Sequence, residues 1–229
     1  PQPERLAMFH AFATRELGQS PSHYYQATRE YLLGSLGYEQ WQFLGLQGIA
    51  DVVARLDEDG NEALMVKALL EMPEVPLESF ALLLESVSPN KVLTQSLIVL
   101  LDKEVESGSP NIKVAAALLR ALSGAKPDDL RTQYFLRFLT SQETNFLSND
   151  IEVLVVFSSR AWMDLEDDTL LIPFIEKLSD QNQMAFNAVL SDLMMLPNIK
   201  QKVLAVMRRS ESSDKLSEKA SEFMKLLQG

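Results

Sequence analysis

Residues 38–56 read YEQWQFLGLQGIADVVARL, and this stretch decides the fold that the sequence predicts. Its apolar residues recur at helical spacing along one stripe, at Trp41, Leu44, Ile49, Val52 and Leu56. The opposite side is also partly apolar, and a helix that is apolar on most sides is buried on most sides. We therefore predict one long buried helix over 38–56. Asp51 and Arg55 lie four residues apart and are spaced to form an ion pair along it.

Gly45 and Gly48 fall on the apolar stripe of this predicted helix. A glycine inside a helix costs about 1 kcal/mol relative to alanine, so its presence needs a reason. The simplest reason is a neighbouring helix whose backbone comes close at this point. We expect both glycines to be helical and to contact the first helix pair through Ala7, Ala13 or Ala27.

The composition limits the classes of function. The chain of 229 residues has a formal charge of −11, an isoelectric point near 4.7, 46% hydrophobic residues and no cysteine. An acidic chain repels phosphate backbones and anionic lipid surfaces, so we expect no nucleic acid and no membrane as partner. No apolar run is long enough to span a bilayer, and the lack of cysteine excludes disulfides and thiolate metal sites. These features favour a cytoplasmic protein.

Regularly placed prolines indicate regularly spaced helices. Proline stands where helices should begin, at Pro76, Pro89, Pro110, Pro127 and Pro197. Alternate starts lie 34 residues apart (76 to 110) and 38 residues apart (89 to 127), which is the length of a two-helix repeat. We predict an all-α fold in which antiparallel helix pairs form a HEAT-like superhelical array.

The array should form a single domain over residues 1–229. Within it we distinguish an aromatic-rich start over 1–60, degenerate helix pairs over 61–197 and basic capping helices over 198–229. Residues 198–229 carry 7 Lys and Arg against 4 Asp and Glu, whereas residues 1–197 carry 14 against 28. The basic end is either a well-solvated cap or a surface for an acidic partner, which leaves self-association open.

Several single helices can be predicted in more detail. The first, over residues 2–17, should carry Leu6, Phe9, Ala13 and Leu17 on one face, and the last, over 213–228, Leu216, Ala220, Phe223 and Leu227. Residues 151–157 have the composition of a strand but lie between helical patterns, so we predict a helix. Pro173 should kink the helix over 168–178 or shift its start. We expect the acidic residues Asp164, Glu166, Asp167 and Asp168 to favour a helix start through the helix dipole.

No residue pattern points to catalysis or to a metal ion. The two histidines, His10 and His23, stand in no zinc-protease motif, and no serine-hydrolase motif is present. Residues 57–62, DEDGNE, resemble a calcium loop, but glycine is fourth instead of sixth and the twelfth residue is Ala68 instead of glutamate. We predict no catalytic residue, no metal and no cofactor, and the sequence leaves open whether the chain is an enzyme.

The densest group of candidate binding residues is aromatic. Six aromatic residues fall within 20 positions: Tyr24, Tyr25, Tyr31, Tyr38, Trp41 and Phe43. Such a cluster is either an aromatic core between two helices or a groove for a peptide or small ligand. In a groove, the tyrosine hydroxyls would act together with Gln42 or Gln47.

These residues also carry a resemblance. The segments FHAFATRELG at 9–18, YYQATREYLLGSLGYEQWQFLGLQGIADVVARL at 24–56 and VPLESFALLLESV at 75–87 resemble a proteobacterial family known only as a domain of unknown function. The likeness is good over roughly the first 125 residues and weak over the remainder. Members of that family are longer at the N-terminus, so the resemblance implies that this chain is the C-terminal part of a longer bacterial protein. It implies no activity for any residue.

The fold and the lack of a catalytic pattern together suggest a class of function. Helical arrays present extended surfaces, so we expect a non-catalytic module that binds a segment of a protein partner. The alternative is a small-molecule-binding protein or an enzyme that uses the Tyr/Trp cluster. A deep pocket containing Tyr24, Tyr31 and Trp41 would favour that alternative.

Overall fold

The computed structural model describes residues 3–126, 128–208 and 213–226, and over these ranges the chain is all-helical, as predicted. The described residues form fourteen α-helices and one 3₁₀ turn, Asp164–Glu166, and no strand. The α-helices are α1 Pro3–Glu16, α2 Tyr24–Leu32, α3 Leu46–Val53, α4 Asn61–Leu69, α5 Glu74–Leu84, α6 Lys91–Glu106, α7 Ile112–Ser123, α8 Asp129–Thr140, α9 Asn145–Ser148, α10 Ile151–Ser159, α11 Asp168–Ser179, α12 Gln183–Met194, α13 Pro197–Met207 and α14 Asp214–Leu226. None of these helices has both the length and the apolarity that crossing a bilayer requires.

The chain packs as two compact units, and the polypeptide leaves the first unit and returns to it. The first unit is drawn from Pro1–Glu104 and Lys113–Lys126, and the second from Val105–Ile112 and Pro127–Gly229. The predicted single repeat domain and its division at 60 and 197 stay predictions.

Helix α3 is the packing centre of the first unit. It contacts α1, α2 and α5, and its residues from Gly48 to Val53 are all buried. The stretch that the sequence singled out is therefore central, but only residues 46–53 of the predicted 38–56 helix are helical.

Residues 38–44 form turns, which corrects the predicted single helix. Gly37 has φ +79°, and Gly45, the residue before α3, is extended with φ −90° and ψ 139°. The Tyr31 hydroxyl donates to the backbone carbonyl of Tyr38 at 2.9 Å, which holds the turn against α2. Aromatic side chains lose freedom in a helix, so this segment has a weak intrinsic preference that tertiary contacts override.

Gly48 lies where α3 crosses α2 at close range. A Cβ atom built on Gly48 would lie 2.5 Å from Thr28 Oγ1, 2.8 Å from Tyr24 Cβ and 2.9 Å from the Tyr24 carbonyl oxygen. Favourable carbon contacts lie at about 3.5–4.0 Å, so only glycine fits here without a shift of α2.

The predicted close contact is thus confirmed for Gly48, but two details were wrong. Gly45 is not helical, and a Cβ built on it would meet the Tyr24 ring at an ordinary 3.6 Å. The atoms nearest to Gly48 belong to Tyr24 and Thr28, and none belongs to Ala7, Ala13 or Ala27. The neighbour is the first turns of α2, where a backbone carbonyl is the contact surface.

The prolines lie at or near helix starts, as their spacing predicted. Pro197 opens α13, Pro76 lies in the first turn of α5, and Pro89 and Pro110 each stand two residues before a helix. Pro127 lies outside the residues that the structure describes.

Helices α10 and α14 confirm two further predictions. Residues 151–157 are helical within α10, and Asp150 caps this helix by accepting from the Glu152 amide at 2.8 Å. In α14, Leu216, Ala220 and Phe223 form the buried face. Leu227, the fourth residue predicted for that face, lies outside the described range.

Helix α11 is the packing centre of the second unit. It contacts α8, α10, α12, α13, α14 and the 3₁₀ turn, and it continues through Pro173. Phe157 of α10 packs its ring against Phe135 at 5.1 Å and against Phe174 at 6.3 Å between ring centroids. These rings form an aromatic core between α8, α10 and α11.

Asp164 is the buried partner of Arg131, which corrects its predicted role at a helix start. Arg131 Nη2 lies 2.8 Å from both carboxylate oxygens of Asp164, and both residues are buried. Burial raises the pKa of the Asp164 carboxyl, while the Arg131 guanidinium acts in the opposite direction. Asp167 instead caps the N-terminus of α11, because its Oδ1 accepts from the Thr169 amide at 2.9 Å.

We expect Gly48→Ala to lower the free energy of unfolding by about 1–3 kcal/mol, because the added methyl group overpacks the α2–α3 crossing. Gly45→Ala is the matched control. Its methyl group has room, and the loss of unfolded-state entropy roughly offsets the poorer helix cap, so we expect a change within about 0.5 kcal/mol. Urea unfolding of both variants tests this, and a stabilised Gly48→Ala protein would contradict the crossing.

We expect Asp164→Ala to cost about 3–5 kcal/mol of stability, because it leaves the buried Arg131 guanidinium without its carboxylate. Lys215→Ala is the control, since it removes an exposed pair in which Lys215 Nζ lies 2.5 Å from Asp180 Oδ1. Exposed pairs contribute about 0–1 kcal/mol. If thermal or urea unfolding shows equal losses of stability for the two variants, the buried Arg131–Asp164 pair contributes no more than an exposed ion pair, which would contradict this prediction.

Candidate functional site

The aromatic cluster predicted from the sequence lies in the first unit, and two of its six aromatic side chains are buried. Tyr25 and Tyr31 are buried, Tyr38 and Trp41 are half-buried, and Tyr24, Gln42 and Phe43 are exposed. The cluster is therefore a layer that extends from the core to the surface.

Three tyrosine hydroxyls of the cluster donate hydrogen bonds within the fold. The Tyr31 hydroxyl donates to the carbonyl of Tyr38 at 2.9 Å, and the Tyr38 hydroxyl donates to the carbonyl of Leu32 at 3.2 Å. The Tyr25 hydroxyl donates to Asp59 Oδ2 at 3.0 Å. These bonds fasten the segments that follow α2 and α3 to α2, so these hydroxyls serve the fold.

Asp51 and Arg55 form the predicted ion pair, with Arg55 Nη1 3.6 Å from Asp51 Oδ1 and both side chains buried. Asp51 Oδ2 also accepts from the Ser22 amide at 2.9 Å, and its Oδ1 accepts from Gln47 Nε2 at 3.2 Å. Arg55 Nη2 donates to the carbonyl of Gln19 at 3.4 Å. Buried charges of this kind are tolerated when hydrogen bonds satisfy them, and this network ties the α1–α2 connection to α3.

Among the predicted binding residues, Tyr24, Trp41 and Gln42 retain the surface that a ligand could reach. Tyr24 is 44% exposed, and its ring centroid lies 3.8 Å from that of His23. The Gln47 side chain is used within the fold, because its Nε2 donates to Asp51 Oδ1 at 3.2 Å and to the carbonyl of Ala7 at 3.3 Å. A binding role for these residues stays a prediction.

Helix α1 turns an apolar face outward. Its predicted face holds Leu6 at 48%, Phe9 at 66% and Leu17 at 71% exposure. The opposite face packs instead, through Ala7, Met8 and Ala11, and α1 contacts α3. Ala7 and Ala11 are small and allow a close helix approach, and Met8 on the same face is buried as well.

The second unit contains a groove of about 840 Å³, which the sequence did not indicate. It lies between the C-terminal part of α8, the short α9, α11 and the start of α14. Its apolar lining consists of Leu136, Leu139, Ile172 and Pro173. Its charged lining consists of Asp168, Glu176, Asp180 and Asp214 with Lys177 and Lys215. A volume of this size suits a small molecule or a few residues of a peptide.

Pro173 gives the groove an unusual backbone. Proline has no N–H, so it cannot donate the helical hydrogen bond to the carbonyl of Thr169, four residues earlier. Both residues line the groove. The backbone along this part of α11 therefore supplies one donor fewer than an ordinary helix.

Two side chains in the groove wall are unusual, one because its pKa is lowered and the other because its oxygen accepts no hydrogen bond from a described residue. Lys177 is half-buried, its Nζ donates to Asn145 Oδ1, and burial lowers its pKa while Asp180 opposes that shift. Asn149 Oδ1 is buried and accepts no hydrogen bond from any residue that the structure describes.

A hydrogen bond and an ion pair between α11 and the start of α14 hold the rim of the groove together. The Ser213 hydroxyl donates to Glu176 Oε2 at 2.6 Å, and Lys215 Nζ lies 2.5 Å from Asp180 Oδ1. In the described ranges, no three His, Cys, Asp or Glu side chains converge as a metal site would require.

Sequence reasoning missed the groove because its walls are distant in the chain. Pro173 inside a helical pattern and Asp168 at a helix start were visible signals, but each has an ordinary structural explanation. Nothing in the linear pattern places them beside Asn145 or Ser213.

A comparison with protein-family models identifies the family of this chain. A family model described as a protein of unknown function, DUF3549, matches residues 1–224, and the chain belongs to that family. The predicted membership in a family of unknown function is confirmed, and the match continues far beyond the first 125 residues. No curated protein and no solved structure matched the chain.

We expect the Tyr31 hydroxyl to ionise only near pH 12, because burial raises its pKa from 10.0 to about 12. The folded protein keeps a proton that the unfolded chain loses above pH 10.0, so this group's contribution to stability is lost as pH rises from 10.0 through about 12. Tyr31→Phe should remove this group's part of that dependence and reduce the late step in tyrosinate absorbance. Part of that step stays, because burial also raises the pKa values of Tyr25 and Tyr38. Tyr24→Phe is the control, and an unchanged late step in Tyr31→Phe would contradict the assignment.

Proposed function

We propose that this member of the DUF3549 family is a non-catalytic interaction module that binds a segment of a partner protein in the groove of its second unit. The observation that carries the proposal is the groove of about 840 Å³, with four apolar residues beside a charged rim. Binding sites commonly combine apolar surface with a few polar groups that set orientation. An extended or helical peptide segment offers both kinds of contact.

The groove is preformed, which supports a binding role. Helix α11 is fixed from behind by its buried residues Leu171, Phe174, Ile175 and Leu178. Ser213 and Lys215 attach the start of α14 to it. A site on packed helices needs little ordering when a ligand binds, so more of the contact energy appears as affinity.

We also propose HEAT-like helix pairs within each unit. In the first unit Arg120 contacts Glu85 across 35 positions, and in the second Lys215 contacts Asp180, also across 35 positions. A contact that recurs at this separation is the one expected between equivalent positions of successive two-helix repeats.

The alternative, a small-molecule-binding protein or an enzyme built on the Tyr/Trp cluster, has weaker support. Tyr25, Tyr31 and Tyr38 use their hydroxyls within the fold, so they present few polar atoms to a ligand. Cytoplasmic location, a bacterial source, self-association and an additional N-terminal region in longer relatives stay predictions.

A photo-crosslinking residue at Thr140 tests the groove, and the same residue at Gln133 is the control. Both positions are exposed on α8, but of the two only Thr140 lines the groove. In an extract of the source organism, we expect a protein to be captured from position 140 and not from position 133. Mass spectrometry then identifies the captured segment, and that segment is synthesised.

The synthetic segment should bind the purified chain, and Leu136→Ser should weaken binding by about 10-fold through lost apolar contact. Val155→Ser is the matched control, because Leu136 and Val155 are both 36% exposed and only Leu136 lines the groove. Equal capture from positions 133 and 140, or equal losses for the two variants, would refute binding in the groove.

A further inference from the structure

The groove of the second unit is richer in acceptors than in donors. Its lining holds four carboxylates, Asp168, Glu176, Asp180 and Asp214, against two ammonium groups, Lys177 and Lys215. The excess of negative charge sits in a concave surface with an apolar lining, where electrostatic attraction is stronger than on an open surface.

An uncharged acceptor on α11 reinforces this character. The Thr169 carbonyl lacks the usual helical donor because Pro173 stands four residues later.

The two ammonium groups of the groove are engaged with its walls. Lys177 donates to Asn145 Oδ1, and Lys215 contacts Asp180. The Ser213 hydroxyl donates to Glu176, so Asp180 and Glu176 are engaged as well, and Asp168 and Asp214 remain as acceptors for a ligand. On the rim, Asp168 contacts Lys202 at 3.0 Å, and both side chains are well exposed. Exposed pairs are weak, so an incoming cation can compete for Asp168.

Apolar surface lies beside these acceptors. Leu136 is 36% exposed, and Ile172 and Pro173 are half-buried along the same lining. A matching ligand must therefore carry aliphatic surface next to positively charged donors.

We propose that the groove selects a partner segment that carries arginine or lysine beside an aliphatic side chain. This inference rests on the proposed function, since it names the chemistry of the segment that the groove binds. An arginine meets the requirement best, because its guanidinium offers five donors in a fixed plane to carboxylate and carbonyl oxygens.

An unbiased peptide library tests the chemistry. A phage-displayed library of random dodecapeptides is selected on the full chain, and the same selection is run on Thr140→Trp, which fills the groove edge, and on Gln133→Trp, its control on the same helix. All three proteins keep the same net charge, so non-specific attraction of cations to an acidic chain is subtracted. We expect the peptides that require an open groove to be cationic, with Leu, Ile or Met next to Arg or Lys.

Single selected peptides then identify the acceptors. Asp168→Asn combined with Asp214→Asn should weaken binding by about 3- to 10-fold, and added salt should reduce that difference. Asp129→Asn combined with Glu152→Gln changes the net charge equally at first-turn positions that do not line the groove, and it should leave affinity within about 2-fold. Spermidine, which offers cations without an aliphatic side chain, should compete poorly.

The outcomes separate the two proposals. Groove-dependent peptides that are neutral or acidic would overturn the cation selectivity and leave the interaction module standing. Equal losses for the two charge variants would overturn the cation selectivity in the same way. Full displacement by spermidine would overturn the requirement for an aliphatic side chain beside the cation. A selection that yields no groove-dependent peptide would overturn both.

Discussion

The first unit depends on the absence of a side chain at Gly48. Without a Cβ atom there, α3 comes close enough to α2 for the Tyr24 carbonyl and the Thr28 hydroxyl to form the contact surface. Asp51 lies about one turn further along α3 and therefore reaches the Ser22 amide at 2.9 Å. The buried network of Asp51 and Arg55 follows from that approach, since a wider crossing would leave these charges without their backbone partners.

Much of this unit could be predicted from spacing, and the failures have physical causes. Gly48, Asp51 and Arg55 lie within eight positions, so helical periodicity alone relates them. Residues 38–44 follow the same periodicity, but the hydrogen bond from Tyr31 to Tyr38 fixes turns there. The outward face of α1 was also not predictable, because both of its faces are apolar and the choice depends on how closely α3 can approach.

In the second unit, the contacts that matter join residues far apart in the chain, and the sequence did not predict them. Arg131 and Asp164 are 33 positions apart, and an acidic residue near a helix start has a sufficient local explanation. The groove walls are likewise brought together by the packing of α8, α11 and α14. The aromatic cluster attracted attention because it is dense in sequence, yet density in sequence indicates a core as readily as a ligand site.

The path of the chain through the two units has a consequence for biosynthesis. The first unit is completed by Lys113–Lys126, which follow a segment that belongs to the second unit. Helix α7 supplies a nearly continuous set of buried residues between Val114 and Leu122. On the ribosome, a nascent chain that has been synthesised as far as about residue 110 therefore still exposes the surface that α7 covers, and the first unit can close only when residue 126 has emerged. Chaperones that bind apolar segments would meet this chain in that interval.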